Sequence, residues 1–163
     1  MIISIDPGNL ESAYCVIDDK TYKPVEFGKF KNNDLLLKLD YLILKYNVYA
    51  VIIEMIASYG MAVGKEVFDT CVWIGRFTER TLPKVGALDY IYRKEEKMNL
   101  CQSMKAKDSN IRQALIDRFA QFDFKNGKGT KKNQDVFYGF SKDMWAAYAV
   151  GVTWLDKQKK NFN

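Results

Sequence analysis

Three largely apolar segments of this 163-residue chain each meet an acidic residue at one end. Asp6 and Glu54 directly follow two of these segments, and Asp143 directly precedes the third. An ionised carboxylate beside an apolar segment is unfavourable unless a partner or a metal ion compensates its charge. If the fold brings the three together, each pair repels by roughly 4 kcal/mol at about 4 Å and an intermediate dielectric. The pattern therefore predicts a site for a divalent cation.

Length and composition predict a single domain over residues 1–163, because the chain is long enough for one substantial core and short for two. No segment approaches the roughly 20 consecutive apolar residues of a membrane span. The N-terminus enters a strand-like segment without a preceding basic region, which argues against a signal peptide. Three cysteines without CxxC spacing argue against a disulfide framework and against structural zinc. We therefore expect a cytoplasmic protein that does not associate with membranes.

The charge of the chain is compatible with binding to nucleic acid. Lys and Arg outnumber Asp and Glu by 25 to 20, which gives a net charge of +5 and a pI near 9.0. A polar loop predicted over residues 123–135, here called the lysine loop, concentrates basic residues that we expect to follow a phosphate backbone. They are Lys125, Lys128, Lys131 and Lys132. The chain contains no histidine, which excludes histidine-based catalysis and zinc–histidine sites.

Hydrophobic periodicity and turn residues predict a mixed α/β fold, with a five-stranded sheet flanked by helices on both faces. The first three strands are expected to form an antiparallel meander, and the fourth is apolar nearly throughout, as in a strand covered on both faces. Asn32 or Asn33 is the expected cap of the first helix. The predicted strands are 1–6, 11–18, 24–30, 48–54 and 84–92, and the predicted helices are 33–46, 65–81, 108–121 and 142–157.

Each acidic residue also has a purely structural interpretation. The segment Asp6-Pro7-Gly8 is typical of a hairpin turn. A glutamate at a strand end, such as Glu54, is usually solvated. Asp143 in the first turn of a helix complements the helix dipole. Only the combination of the three favours a shared site.

The chain resembles the RuvC-type Holliday-junction resolvases of the RNase H-like superfamily, and in particular their bacteriophage subgroup. The resemblance is carried by three segments that contain the acidic residues, 3–8, 51–54 and 142–149. Segment 107–115 resembles the lysine-led helix of that family. Together these segments span nearly the whole chain in the family's order.

The resemblance implies an RNase H-like fold and a homodimer that binds four-way DNA junctions and nicks two strands symmetrically with Mg²⁺ or Mn²⁺. By motif position, Asp6, Glu54 and Asp143 would be the metal ligands, and carboxylate oxygens suit such hard cations. Lys107 would contact the phosphate being cleaved. Hydrolysis would use two metal ions and leave 5′-phosphate and 3′-hydroxyl ends. No organic cofactor is expected.

One position departs from the family pattern. Many members carry a second aspartate one helical turn after the position of Asp143, where this chain has Ala146. Water, Asp135 or Asp108 are the candidate replacements. We expect weaker binding of one metal ion, and a loss of activity stays open.

Further residues are candidates for contacts with DNA or with a second subunit. Tyr59 follows Glu54 and could stack on an unpaired base, although a role in capping the core is equally compatible. The broad apolar face of helix 65–81 exceeds what one core needs, so part of it is assigned to a dimer interface. The DNA-binding candidates are Tyr59, Lys105, Lys107, Arg112 and the four lysines of the lysine loop, and the interface candidates are Phe68, Trp73 and Phe77.

Two other functions stay open at the level of sequence. A ribonuclease H that cleaves RNA–DNA hybrids would share the fold and usually acts as a monomer. A junction-binding protein without catalysis is kept open by Ala146. The preferred cleavage sequence, the selectivity for four-way junctions over forks and flaps, and the need for a branch-migration partner do not follow from the sequence.

Overall fold

The computed structural model describes residues 1–58, 60 and 62–161, which contain one five-stranded sheet and the helices around it. The strands are Ile2–Asp6 (β1), Glu11–Ile17 (β2), Pro24–Lys31 (β3), Ala50–Met55 (β4) and Ala87–Tyr92 (β5). The α-helices are Asn32–Tyr46 (α1), Lys65–Thr81 (α2), Arg93–Cys101 (α3), Asp108–Phe119 (α4) and Lys142–Asn161 (α5), and a short 3₁₀ turn covers Leu82–Lys84.

The sheet is mixed, as predicted, with the strand order β3-β2-β1-β4-β5. The first three strands form the expected antiparallel meander, while β4 pairs parallel with both β1 and β5. Three neighbouring strands, β1, β4 and β5, therefore end at the same edge of the sheet. We call this edge the carboxyl edge.

Helices cover both faces of the sheet, which confirms the predicted architecture. On one face, α1 and α2 pack their apolar residues over one core cluster, which includes Leu39 and Phe77. On the other face, α5 and α4 pack over a second cluster, which includes Leu115 and Tyr148. In the part of the chain that the structure describes, no helix combines the length and apolar character needed to cross a membrane.

The sequence-based boundaries differ from the structure in three informative places. Helix α3 was not predicted, because its segment is mostly charged and its only residue classed as buried is Glu96. The predicted strand 84–92 begins only at Ala87, because a 3₁₀ turn precedes it. Helix α5 continues four residues beyond the predicted end, through a lysine-rich last turn that suits the helix dipole.

The predicted cap of α1 is also wrong. Lys31 occupies the cap position, and Asn32 is the first helical residue. The Asn32 side chain is buried and instead bonds to the turn after β1: Nδ2 donates to the carbonyl of Gly8 at 2.8 Å, and Oδ1 accepts from Ser12 Oγ at 2.6 Å. Ser12 Oγ in turn accepts from the Gly8 N–H at 3.1 Å. Asn32 therefore fixes the turn that follows Asp6.

Helix α5 lies close to the sheet because Gly151 faces the strands. A Cβ atom at Gly151 would lie 2.4 Å from Ile17 Cδ1 and 2.8 Å from Ser4 Oγ. Since Asp143 stands in the first turn of the same helix, this contact helps to set the height of that turn above the carboxyl edge.

We predict that Gly151→Val lowers the free energy of unfolding by about 1–3 kcal/mol, because the added side chain overpacks the interface of helix and sheet. Chemical denaturation measures this value. Gly75→Ala is the matched control, since a Cβ at Gly75 meets no atom within 4 Å and the change removes a flexible residue from a helix. Equal stabilisation by both substitutions would contradict the close packing of α5.

Candidate functional site

Asp6 and Glu54 are neighbours because of the strand register. Ile5 of β1 pairs with Ile53 of β4, so the next residues on the two parallel strands are the two acids. Both isoleucines belong to the core on the α1 side, and side chains alternate along a strand. Asp6 and Glu54 therefore point to the face that carries α5.

The turn after β1 depends on a glycine. A Cβ atom at Gly8 would lie 2.4 Å from the backbone carbonyl oxygen of Glu11. Together with the bonds from Asn32, this close approach directs the chain sharply away from the carboxyl edge. Asp6 is therefore left at the strand end, where it lines an open cleft.

The electrostatic environment of the two acids opposes full ionisation. Burial raises the pKa of Asp6 well above its usual value, and the charge of Glu54, a hydrogen bond with it and the charge of Asp143 raise it further. Burial also raises the pKa of Glu54, while the charge of Arg93 acts in the opposite direction. Asp6 and Glu54 are thus two of the three acids that the sequence predicts to share a cation, and the structure places them side by side.

Asp143 lies in the same cleft as Asp6 and Glu54 but bonds elsewhere. Its carboxylate accepts from Lys29 Nζ of β3 at 2.8 Å, and Lys29 also lies 3.0 Å from Glu11. All three side chains are substantially exposed, so this surface pair contributes little and can exchange for a stronger partner. Among the described residues, no three Asp, Glu or Cys side chains are arranged to hold one ion.

The cleft brings basic groups to the acids. Its charged lining consists of Asp6, Glu54, Asp108 and Asp143 together with Arg93, Arg112, Lys125, Lys128 and Lys142. Arg112 of α4 is held over the ring of Trp145, 5.1 Å from its centroid. The cleft therefore combines a cluster of carboxylates with a larger number of cationic side chains.

Comparisons with known proteins identify the fold. No protein-family profile matches the chain, and no curated protein matches it in sequence. Thermus thermophilus RuvC, solved in complex with a Holliday junction substrate, superposes with a TM-score of 0.74 at 10% identity, over 98% of this chain and 95% of that one. The chain has the fold of RuvC.

Two further solved structures share this architecture. The yeast mitochondrial Holliday junction resolvase gives a TM-score of 0.61 at 15% identity, over 99% of this chain and 82% of that one. Fowlpox virus resolvase, solved with substrate Holliday junction DNA, gives 0.51 at 18% identity, over 96% and 97%. The predicted RNase H-like fold is thus confirmed by neighbours that span nearly the whole chain.

On this RuvC fold, the predicted DNA-binding residues separate into two groups. Arg112, Lys125 and Lys128 line the cleft. The others lie outside its lining on exposed positions: Lys105, Lys107, Lys131 and Lys132. Lys107 directly precedes α4, and its backbone N–H donates to the Asn110 side chain at 2.9 Å. Tyr59 lies outside the described residues.

Asp135, one of the two candidates for the missing fourth acid, joins the two ends of the lysine loop. Asp135 is buried, and its carboxylate accepts from the backbone N–H groups of Gln121, Phe122, Asp123 and Val136 at 2.7–3.2 Å. Burial opposes ionisation, but these bonds hold the pKa of Asp135 at about 2. Asp135 does not line the cleft and is therefore not a replacement acid.

The structure reveals a different acid near the cluster. Glu96 of α3 is fully buried, and burial and the charge of Glu54 raise its pKa, against the effect of Arg93. Its Oε1 has no hydrogen-bond partner among the described residues. The sequence analysis missed Glu96 because it lies among other charged residues in α3. Nothing in that segment distinguishes a buried acid from a solvated one. The other candidate, Asp108, does line the cleft and bonds to Arg93 at 2.5 Å.

The donor set fits a hard divalent cation. Asp6, Glu54 and Asp143 offer carboxylate oxygens from three elements around one cleft, which are the ligands that Mg²⁺ and Mn²⁺ prefer. Burial is the main cause of the raised pKa values of Asp6 and Glu54, and a cation bound between the two acids would favour their ionised forms. Asp143 is paired with Lys29 in this structure and would join the set only if its carboxylate left that lysine.

The predicted interface residues on α2 have different environments. Phe77 is fully buried in the core between α2 and the sheet, so its assignment to the dimer interface is wrong. Trp73 is partly buried, packs on Phe77 and carries the Arg76 guanidinium 4.0 Å from its ring centroid. Phe68 and Val72, one turn apart, are each 61% exposed. The exposed apolar stripe of α2 is therefore centred on these two residues.

We predict that Asp6→Asn stabilises the metal-free protein, because the neutral amide removes a desolvated charge beside Glu54. In EDTA, the free energy of unfolding should rise by on the order of 1 kcal/mol, the equivalent of one pKa unit. Millimolar Mg²⁺ should raise the melting temperature of the wild-type protein and leave that of the variant unchanged. Thermal unfolding with and without Mg²⁺ measures both effects.

The stabilisation of the protein by Asp6→Asn should increase as the pH rises from acid to neutral. The pKa of Asp6 in the folded state lies above its unfolded value of about 3.9. The wild-type protein therefore loses stability as pH rises from the unfolded pKa through the folded one. The gain from Asp6→Asn should be largest at neutral pH and should vanish in acid; a gain that grows in acid would contradict the repulsion between the two carboxylates.

Proposed function

We propose that this protein is a divalent-metal-dependent endonuclease that resolves Holliday junctions and other branched DNA by paired, symmetric nicks. The observation that carries this proposal is the single cleft that collects Asp6, Glu54 and Asp143 from distant parts of the chain and surrounds them with cationic side chains. The RuvC fold supports the same conclusion, since two of the neighbours were solved with Holliday junction DNA. The assignment to the bacteriophage subgroup stays a prediction.

In this proposal, Asp6, Glu54 and Asp143 hold Mg²⁺ or Mn²⁺ at the carboxyl edge. The bound cations supply activation of water and compensation of the charge that develops on phosphate. The protein contributes rigid placement of the ligands, because Asp6 and Glu54 are fixed by paired strands and Asp143 by α5. Lys29 pairs with Asp143 at 2.8 Å, and a metal ion would compete with this lysine for the carboxylate.

The cationic residues bind the DNA backbone. Arg112, Lys125 and Lys128 line the cleft, and in this proposal they contact phosphates near the cleaved bond. Lys107, Lys105, Lys131 and Lys132 extend the positive surface outside it, and Tyr59 would stack on a base at the junction. Because each neutralised phosphate releases counterions, we expect the affinity for a junction to fall steeply with salt.

Symmetric nicking requires two active sites, and we propose a homodimer that pairs the exposed stripe of α2 across a two-fold axis. Phe68 and Val72 would form its centre, with Trp73 at its edge. An isologous contact presents the same stripe from both subunits. Two clefts related by this axis would then face opposing strands of one junction.

We predict that the wild-type protein cuts an end-labelled four-way junction in Mg²⁺ or Mn²⁺, with paired nicks on opposing strands and no cutting in EDTA. Asp6→Asn should reduce cleavage by at least about 100-fold, because it removes a charged ligand of the metal. Junction binding in EDTA, measured by fluorescence anisotropy, should persist. Asp34→Asn, on the exposed first turn of α1, is the control acid and should cut as the wild type does.

The same assay separates the alternatives. Cutting of an RNA–DNA hybrid without cutting of the junction identifies a ribonuclease H. Tight junction binding without cutting, in Mg²⁺ and Mn²⁺ alike, identifies a junction-binding protein whose site is disabled at Ala146. Undiminished cleavage by Asp6→Asn would refute the role of this carboxylate.

We predict that Phe68→Asp raises the dissociation constant of the dimer by on the order of 100-fold, because it places an unpaired charge at the centre of the apolar stripe. Sedimentation equilibrium at several concentrations measures this constant. Leu44→Asp is the control, since Leu44 of α1 is 83% exposed and lies outside the stripe. A dimer that survives Phe68→Asp and dissociates with Leu44→Asp would move the interface to α1.

A further inference from the structure

Arg93 stands at the carboxyl edge beside the acids. It directly follows β5, whose Ile91 pairs with Glu54 of the neighbouring parallel strand. Ile91 packs into the core on the α5 side, and alternation places Arg93 on the same face as Asp6 and Glu54. Its side chain lines the cleft and is 26% exposed, so it is open to a ligand there.

Two carboxylates hold the Arg93 guanidinium. Nη1 donates to Glu96 at 2.5 Å and Nη2 donates to Asp108 at 2.5 Å. These bonds use two of the five N–H donors of a guanidinium, so Arg93 can donate to a phosphate oxygen without leaving either partner. A side chain held in this way loses little conformational freedom on binding.

The buried Glu96 side chain holds the Arg93 guanidinium in place. Glu96 is fully buried, and its Oε1 has no hydrogen-bond partner among the described residues. Burying a carboxylate in this way is unfavourable unless a cation stays beside it. Asp108, by contrast, is well exposed and completes the clamp from the start of α4. Arg93 is thus held from its buried side by α3 and from its solvent side by α4.

The position of the Arg93 charge matters because the cleft has an alanine at position 146 in place of the aspartate of many resolvases. Ala146, where many resolvases carry a carboxylate, lines the same cleft as Arg93. A site with one carboxylate fewer attracts a second cation less strongly. A guanidinium supplies fixed positive charge with a planar pair of donors that suits a phosphate.

We propose that Arg93 binds the phosphate that is cleaved and compensates its developing charge, with Glu96 and Asp108 as positioning residues. This inference rests on the proposed nuclease function. It assigns to Arg93 the positive charge that a weakly bound second cation would otherwise supply. Arg93 is then a catalytic residue in the sense that it touches the reacting phosphate.

The test compares the wild-type protein with the double variant Arg93→Gln/Glu96→Gln. The second substitution replaces the buried Glu96 carboxyl with an amide of the same shape, so that no buried carboxyl is left without its guanidinium partner. Binding to a four-way junction is measured in EDTA at several salt concentrations. We expect the slope of log affinity against log salt to become shallower by about 0.9 in the double variant, the equivalent of one phosphate contact.

Cleavage in Mg²⁺ is measured on the same samples. We expect the double variant to cut at least about 100-fold more slowly, as for the loss of one oriented donor to a transition state. Arg93→Lys should keep the salt slope and still lose most of the cleavage, because an ammonium lacks the planar pair of donors. Arg80→Gln is the control: Arg80 pairs with Asp40 on the other side of the sheet, and its loss should leave both readouts unchanged.

The outcomes distinguish this inference from the proposed function. An unchanged salt slope together with wild-type cleavage in the double variant would overturn the role of Arg93 while the nuclease stands. An unchanged slope with slower cleavage and a lower melting temperature would also overturn it, since the pair would then be structural only. If the wild-type protein cuts no junction, the proposed nuclease fails, and the salt slope still decides whether Arg93 contacts a phosphate.

Discussion

The parallel pairing of β1 with β4 is the interaction on which the rest of the site depends. It sets Asp6 beside Glu54 at the end of two buried strands, where both carboxylates are partly buried and line the cleft. A shift of register by one residue would send one acid to the core under α1. The hydrophobic strands thus fix an electrostatically unfavourable pair, and the rest of the cleft is arranged around that pair.

The other charged groups of the cleft come from elements that follow later in the chain. Strand β5 ends beside β4 and delivers Arg93, whose charge lowers the pKa of both acids. Helix α5 delivers Asp143, at a height set by the contact of Gly151 with the sheet. The site is therefore assembled by non-local pairing, and no single segment of the sequence contains it.

Much of the architecture could be predicted from the sequence, since β1 and β4 are short apolar runs and α1 and α2 have clear helical periodicity. The three candidate acids were selected because they stand at the ends of apolar segments, and the structure places all three in one cleft. Helix α3 escaped prediction because its one buried side chain is itself charged, and burial of a charge follows from tertiary contacts rather than from pattern. The assignment of Phe77 failed for a related reason: a broad apolar face does not reveal which of its residues meet the sheet.

The bonds that Asp135 makes to four backbone N–H groups have a consequence for the energetics of DNA binding. They order the lysine loop in the free protein, so the conformational entropy of this segment is lost during folding and not during association. Binding to a junction should accordingly lack the large negative heat-capacity change that accompanies coupled folding of a disordered basic segment. If the protein binds junctions as proposed, it meets this ligand with a preorganised cationic surface, and the lysine loop adds affinity without an ordering penalty.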